Sequence, residues 1–198
     1  VARQRATLPK AQQMAQPNPP ILNHPAWLLE RWRNEFGEDT KRAICACNNS
    51  EPPLTLRVNG RRTCRSGLKA LMEKSGIVVR NGFFSPVSLT IDTFPGTIAA
   101  LPGYGQGHFQ VQDEAAQLAS LLVGPLPARC RILDGCAGLG GKTSHLAEML
   151  PPDGTVVAVE PDSRRYRLLR ENLQRLGHGQ HVLAVRSDLR AYAATHPQ

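Results

Sequence analysis

The hydrophobic pattern changes period several times along the chain, and each change marks an element. Leu28, Trp32 and Phe36 step by four, which predicts a helix opening at Asn23 or His24 and closed by Gly37. A second short helix is expected over 39–47, ending before Pro52-Pro53. Trp27 and Trp32 are expected to anchor a core rather than to stack on bases. From Leu54 the period shortens to two. Leu54, Leu56 and Val58 alternate with Thr55, Arg57 and Asn59, the pattern of a half-buried strand with a polar outer face. A helix over 66–75 turns Leu68, Leu71 and Met72 inward, and after a glycine-bearing loop Val87, Leu89 and Ile91 give another strand. Three later apolar runs, 131–133, 155–159 and 182–185, alternate with helical patterns and predict an α/β sheet.

The turn after the first of these runs carries the chemistry. Residues 134–143 read DGCAGLGGKT between a strand and a helix, the opening unit of a nucleotide-type binding fold. A phosphate-binding P-loop ending in Gly141-Lys142-Thr143 needs glycine at 136, where Cys136 stands. A dinucleotide fingerprint begun at Gly138 needs glycine at 143, where Thr143 stands. What remains is an acid at a strand end (Asp134), small residues that let backbone approach a ligand, and a second acid, Glu160, closing the next strand. That pairing suits a nucleoside whose ribose hydroxyls are gripped by a carboxylate with no phosphate to neutralise, and S-adenosyl-L-methionine is such a ligand. Asp162 could take the place of Glu160, and Asp188 could serve only as the cap of a helix at Leu189.

These residues resemble the Fmu/Sun-type 16S ribosomal RNA (cytosine-5) methyltransferases of the NOL/NOP/Sun superfamily. The family loop reads D-x-C-A-A-P-G-G-K-T. Asp134, Cys136, Ala137, Gly140, Gly141, Lys142 and Thr143 match it, while Gly138 and Leu139 depart from the Ala-Pro form. Val111-Gln112-Asp113 resembles the family's V-Q-D helix entry, and Leu56-Arg57-Val58-Asn59 its L-R-x-N strand. The resemblance covers about three quarters of the chain, from about Pro52 onward. It implies that Cys136, Ala137, Gly138, Leu139, Gly140, Gly141 and Lys142 wrap the methionine part of the cofactor. It further implies that Glu160 holds the ribose and Asp188 the adenine amino group. The reaction it implies is 5-methylcytosine formation through a thiolate added at C6 of the base. The family draws its cysteines from Thr-Cys-Ser and Pro-Cys segments, neither of which occurs here, so no catalytic residue is assigned. Thr63-Cys64 is followed by Arg65, and Cys136 is expected to pack within the loop.

Charge adds a partner. The formal net charge of +8 lies entirely in residues 1–85, with 14 Lys and Arg against 6 Asp and Glu; residues 86–198 carry 10 of each. One half gripping a phosphate backbone, here ribosomal RNA, and the other a small molecule would give this asymmetry. Arg57, Asn59, Arg61 and Arg62 are the expected RNA contacts. Cys45-Ala-Cys47 has no second Cys/His pair to complete a metal site, and five cysteines without a signal-peptide or membrane pattern suggest reduced thiols in the cytoplasm.

The expected fold class is α/β: a partial Rossmann-like S-adenosylmethionine methyltransferase sheet preceded by a small α+β RNA-binding subdomain and a short helical segment. The boundaries are 1–22, a basic flexible linker; 23–50, the helical segment; 51–112, the RNA-binding subdomain; and 113–198, the N-terminal half of the cofactor domain. Room for only three strands after Arg131 suggests a fragment of a methyltransferase, inactive alone, whose exposed sheet edge invites self-association. The alternatives are a non-catalytic RNA-binding module with a vestigial methyltransferase half, and a methyltransferase acting on protein or small molecules.

Overall fold

The computed structural model describes residues 23–92 and 94–196; the linker expected over 1–22 lies outside them. Among the described residues, 23–52 form one compact unit and 53–196 another. In the first unit α1 (Ala26–Asn49) is interrupted at Gly37, whose φ of 82° and ψ of 169° are non-helical, so the helix is two helices joined at the predicted stop. Trp32 is half-buried and meets His24 edge-on at 5.3 Å. Trp27 is 66% exposed, which corrects its reading as a core anchor: the neighbouring leucines, not the ring, sit on the less exposed face. No described helix is long and apolar enough to cross a membrane.

The second unit holds two sheets. In the first, β1 (Leu54–Val58), β2 (Val79–Asn81), β3 (Ser88–Ile91) and β4 (Phe109–Val111) run antiparallel in the order β2-β3-β1-β4. α2 (Arg65–Glu73) turns Leu68 and Met72 onto Leu56, Val58, Leu89, Ile91 and Phe109, closing one core. In the second sheet β5 (Arg131–Asp134), β6 (Thr155–Val159) and β7 (Val182–Val185) are parallel in the order β5-β6-β7. α4 (Gly141–Met149) and α5 (Ser163–Leu176) cover one face, packing Leu146, Ala147, Leu169 and Leu173 on Val156 and Ala158. α6 (Leu189–Thr195) places Tyr192 against Val157 and Val159 on the other. The expected fold class is therefore the observed one. α3 (Glu114–Leu121) leads from the first sheet to the second, and among the described residues β5 has one strand neighbour, with Leu133 52% exposed.

The polar face of β1 departs from expectation. Thr55, Arg57 and Asn59 are as buried as Leu56 and Val58, because α4 and the end of α5 lie over them. Asn59 Nδ2 donates to the carbonyls of Gly107 and Leu176, both at 2.9 Å, and its Oδ1 accepts from the Arg61 N–H. Each is a buried group that water cannot reach. Asn59→Ala is expected to lower the unfolding free energy by about 2 kcal/mol, read as a shift of the urea midpoint at unchanged slope; an unmoved midpoint would show that the two carbonyls find other donors.

Candidate functional site

The glycine-rich turn joins the end of β5 to the start of α4, at the carboxyl edge of the parallel sheet where open α/β sheets bind ligands. Asp134 organises it. Its Oδ1 accepts from the Cys136 N–H at 3.2 Å and its Oδ2 from the Thr143 hydroxyl at 2.6 Å, so one carboxylate ties both ends of the turn. Gly140 stands at the N-cap of α4 with φ of 87°, a left-handed conformation that side chains resist, and a Cβ there would lie 2.6 Å from Leu169 Cδ1 of α5. The turn also bonds to the sheet, Ala137 N–H donating to Val159 O at 3.1 Å.

Glu160 follows β6 and is 3% exposed. Its Oε2 accepts from the Gly138 N–H at 3.0 Å, and its Oε1 accepts from the Asp162 N–H at 2.9 Å and pairs with Arg165 Nε at 3.1 Å. Of the two acids weighed at this strand end, Glu160 touches the glycine turn. Asp162 caps α5, accepting from the Arg165 N–H at 2.8 Å; that bond holds its pKa below the ordinary value, desolvation opposes it, and the charge of Arg165 adds to the lowering. Asp188 follows β7 and caps α6 through Oδ1, which accepts from Arg190 and Ala191 N–H. The capping role foreseen for it is real, and it engages one of the two carboxylate oxygens. Asp134 thus ends β5, Glu160 follows β6 directly and Asp188 comes three residues after β7, all at the carboxyl ends of the parallel strands.

A cavity of about 300 Å³, at the small end of ligand sites, opens beside the turn and is lined by Cys136, Ala137, Gly141 and Lys142 of the expected set. Gly138, Leu139 and Gly140 complete the turn without lining it, and Glu160 and Asp188 lie outside the lining. Cys136 is exposed and faces the cavity, contrary to its expected packing, because Asp134 holds its amide and leaves the thiol outward. Leu139 is 46% exposed, and its carbonyl accepts from Asn172 Nδ2 at 3.1 Å. Gln112, Asp113 and Ala116, at the entry of α3, supply the wall that reasoning on the turn alone missed. The matched Val111-Gln112-Asp113 segment was the signal that could have found it.

The expected RNA contacts need correction. Arg57 is fully buried: Nη1 donates to Gln112 Oε1 at 2.5 Å and Gly141 O at 2.7 Å, and Nη2 to Ser144 Oγ at 2.8 Å and Glu148 Oε1 at 2.6 Å. Burial pushes the guanidinium pKa down and Glu148 opposes this. Asn59 is equally inaccessible. Neither can touch a nucleic acid, because the strand face that carries them is covered by helices. Arg61 is exposed, yet Nε and Nη2 donate to the carbonyls of Glu148 and Leu150 at the end of α4. Arg62 is exposed and lies beside Gly177, the one member of the set open to a phosphate.

Residues 24–96 match the ferredoxin-like domain of RsmF/B-like methyltransferases, and residues 124–197 match the 16S rRNA methyltransferase RsmB/F model. Ribosomal RNA small subunit methyltransferase B of Pseudomonas syringae pv. tomato is 40% identical over 162 residues, covering 82% of this chain and 36% of that protein. The crystal structure of PH0851 superposes with a TM-score of 0.77 at 28% identity, covering 84% of this chain and 37% of that one. A methyltransferase homologue from Pyrococcus horikoshii gives 0.76 at 24% identity, over 90% and 59% respectively, and shows the fold alone. The chain spans about a third of the length of the curated relatives it matches. Two ordered domain matches and a relative sharing 40% of its residues agree along the sequence, and the chain belongs to the RsmB/F family of 16S rRNA methyltransferases.

Proposed function

We propose that the chain supplies the RNA-engaging and cofactor-binding parts of an S-adenosyl-L-methionine-dependent cytosine-5 methyltransferase acting on 16S ribosomal RNA in the cytoplasm. One observation carries the reading: three carboxylates, Asp134, Glu160 and Asp188, stand at the carboxyl ends of three parallel strands around a turn without phosphate-binding spacing. The donor set fits the cofactor. Carboxylates accept from ribose hydroxyls, an adenine amino group and an ammonium, all of which the cofactor carries and none of which asks for a phosphate cradle. When bound, it supplies an electrophilic methyl group.

The chain's residues position it. Asp134 fixes the turn, the α3 entry walls the cavity, and Glu160 takes the ribose with the lone pair of Oε2 that Gly138 leaves free. Asp188 takes the adenine with Oδ2 while Oδ1 caps α6. The thiolate that adds to cytosine C6 has no candidate among the five cysteines: Cys45 is buried in α1, Cys64 caps α2, Cys130 precedes β5 and Cys136 lines the cofactor cavity. Cys47 sits on α1 beside Asn48, in the other unit.

Calorimetric titration with S-adenosylhomocysteine tests the reading. The chain is expected to bind, and Glu160→Gln and Asp188→Ala each to weaken binding about 10- to 100-fold, the worth of a hydrogen bond to a charged group. Absent binding, or binding indifferent to both changes, would overturn it; retained RNA affinity alone would favour the RNA-binding module.

A further inference from the structure

The loop between β2 and β3 displays two adjacent phenylalanines to solvent. Phe83 is 88% exposed and Phe84 67%, with ring centroids 4.7 Å apart and planes at 78°. Single exposed apolar residues are commonplace on protein surfaces. This pair differs because the loop beneath it is fixed. The Glu114 carboxylate accepts from three consecutive backbone N–H groups, those of Phe83 (3.1 Å), Phe84 (3.0 Å) and Ser85 (2.9 Å). Burial raises the Glu114 pKa, the three donors more than reverse it, and the anchor stays ionised. Ser85 Oγ donates to Gln117 Oε1 at 2.7 Å, and Gln117 Nε2 donates to the Gln112 carbonyl at 2.9 Å. At Gly82 a Cβ would stand 2.3 Å from Glu114 Oε1 and Ser88 Oγ, so the carboxylate can close on the loop only past a glycine. Burying either ring would be favourable, yet the anchored backbone holds both outward.

The anchor also places the rings. Glu114 and Gln117 lie on the first turns of α3, and Asp113 and Ala116 of the same turns line the cofactor cavity. We infer that Phe83 and Phe84 form a stacking platform for an unpaired base of the RNA substrate, flanking the nucleotide presented at the cofactor cavity. The inference rests on the RNA reading of the proposed function. RNA is the occupant that the charge favours: within the same unit, residues 58–85 carry six Lys and Arg, none of them buried, against one acid, Glu73, and sequence-tolerant recognition of single strands joins a basic surface to aromatic faces.

The test is fluorescence anisotropy of the full chain with a short single-stranded RNA and with the duplex of the same sequence, over a range of salt. Phe83→Ala/Phe84→Ala is expected to weaken single-strand binding about 10- to 100-fold, the worth of one or two lost base stacks. Duplex affinity and the slope of log K against log salt should not change, because phosphate contacts are untouched. Phe84→Trp should keep single-strand affinity, and cofactor-analogue titration should be the same in all variants. Equal weakening of duplex and single strand, or no weakening, overturns the platform while leaving the RNA reading intact. Failure of the unaltered chain to bind RNA overturns both. A dimer of the unaltered chain dispersed by the double variant, with RNA affinity unmoved, overturns the platform in favour of an interface between two copies.

Discussion

Arg57→Met is expected to cost about 3–5 kcal/mol of unfolding free energy, the usual penalty for leaving the partner of a buried ion pair without its counter-charge. Arg57 is fully buried and the Glu148 side chain 7% exposed, so the carboxylate left behind loses its guanidinium partner and keeps His178 Nε2 beside it at 3.5 Å. Removing the carboxylate as well takes away the cause. Arg57→Met/Glu148→Leu should therefore recover about 2 kcal/mol or more of the loss, since a dry apolar pair often replaces a buried ionic one at little cost. The recovery stays partial because Gln112 Oε1 and Ser144 Oγ lose the guanidinium donor in both variants, and Gly141 O keeps only the Ser144 hydroxyl of its two side-chain donors. Arg57→Lys should rescue little: an ammonium is a point charge and cannot span four acceptors as the planar guanidinium does. Urea unfolding of the three variants decides the matter. A single-variant loss below about 1 kcal/mol would mean that water reaches the pair and that the exposed-pair scale applies. The same arginine ties β1 to the first residue of α4, so the double variant should bind S-adenosylhomocysteine less well than its recovered stability suggests.

That arginine also marks the limit of what the chain's pattern discloses. Alternation in Leu54–Asn59 located β1 and its two faces, and Gly37 located the break in α1, because both are local consequences of period and φ. Periodicity does not say what lies over a polar face. The partners of Arg57 stand 84 residues away at Gly141 and 91 away at Glu148, so a face read as solvent-exposed is in fact covered by α4. The glycine turn was legible because its chemistry is contiguous: an acid, small residues, then a helix. Gln112 and Asp113 belong to the same cavity but arrive from the preceding helix, and only the matched segment hinted at them. The outward rings of Phe83 and Phe84 were invisible for a related reason. Period assigns no face to loop residues, and the Glu114 carboxylate that fixes this loop lies 29–31 residues further along the chain.

Acidification from pH 7.5 to pH 5 is expected to remove about 2 kcal/mol of stability through His145 alone. This ring sits on α4, 3% exposed, and its pKa is pushed from 6.5 down to about 4, first by burial, then by the charge of Arg57, with Glu148 opposing. In the folded chain it is neutral across this window, whereas in the unfolded chain it takes up a proton near its ordinary value. The unfolded state therefore binds more protons between about pH 6.5 and pH 4, and stability falls with pH through that interval. The contribution is fully present above pH 6.5 and reaches a loss of about 3 kcal/mol near pH 4. Carboxylates complicate the lower end: Glu38, Glu114 and Asp162 have depressed pKa values, so their contributions are present above the ordinary carboxylate value and are lost as pH falls from it through the depressed one. The interval from pH 6.5 to pH 5 isolates the imidazole. Urea midpoints measured there for the unaltered chain and for His145→Leu should diverge, with a flatter profile for the variant. His178, buried 3.5 Å from Glu148, is present in both chains. Parallel profiles would show that His145 is protonated in the folded state, with Glu148 outweighing Arg57 and the cost of burial.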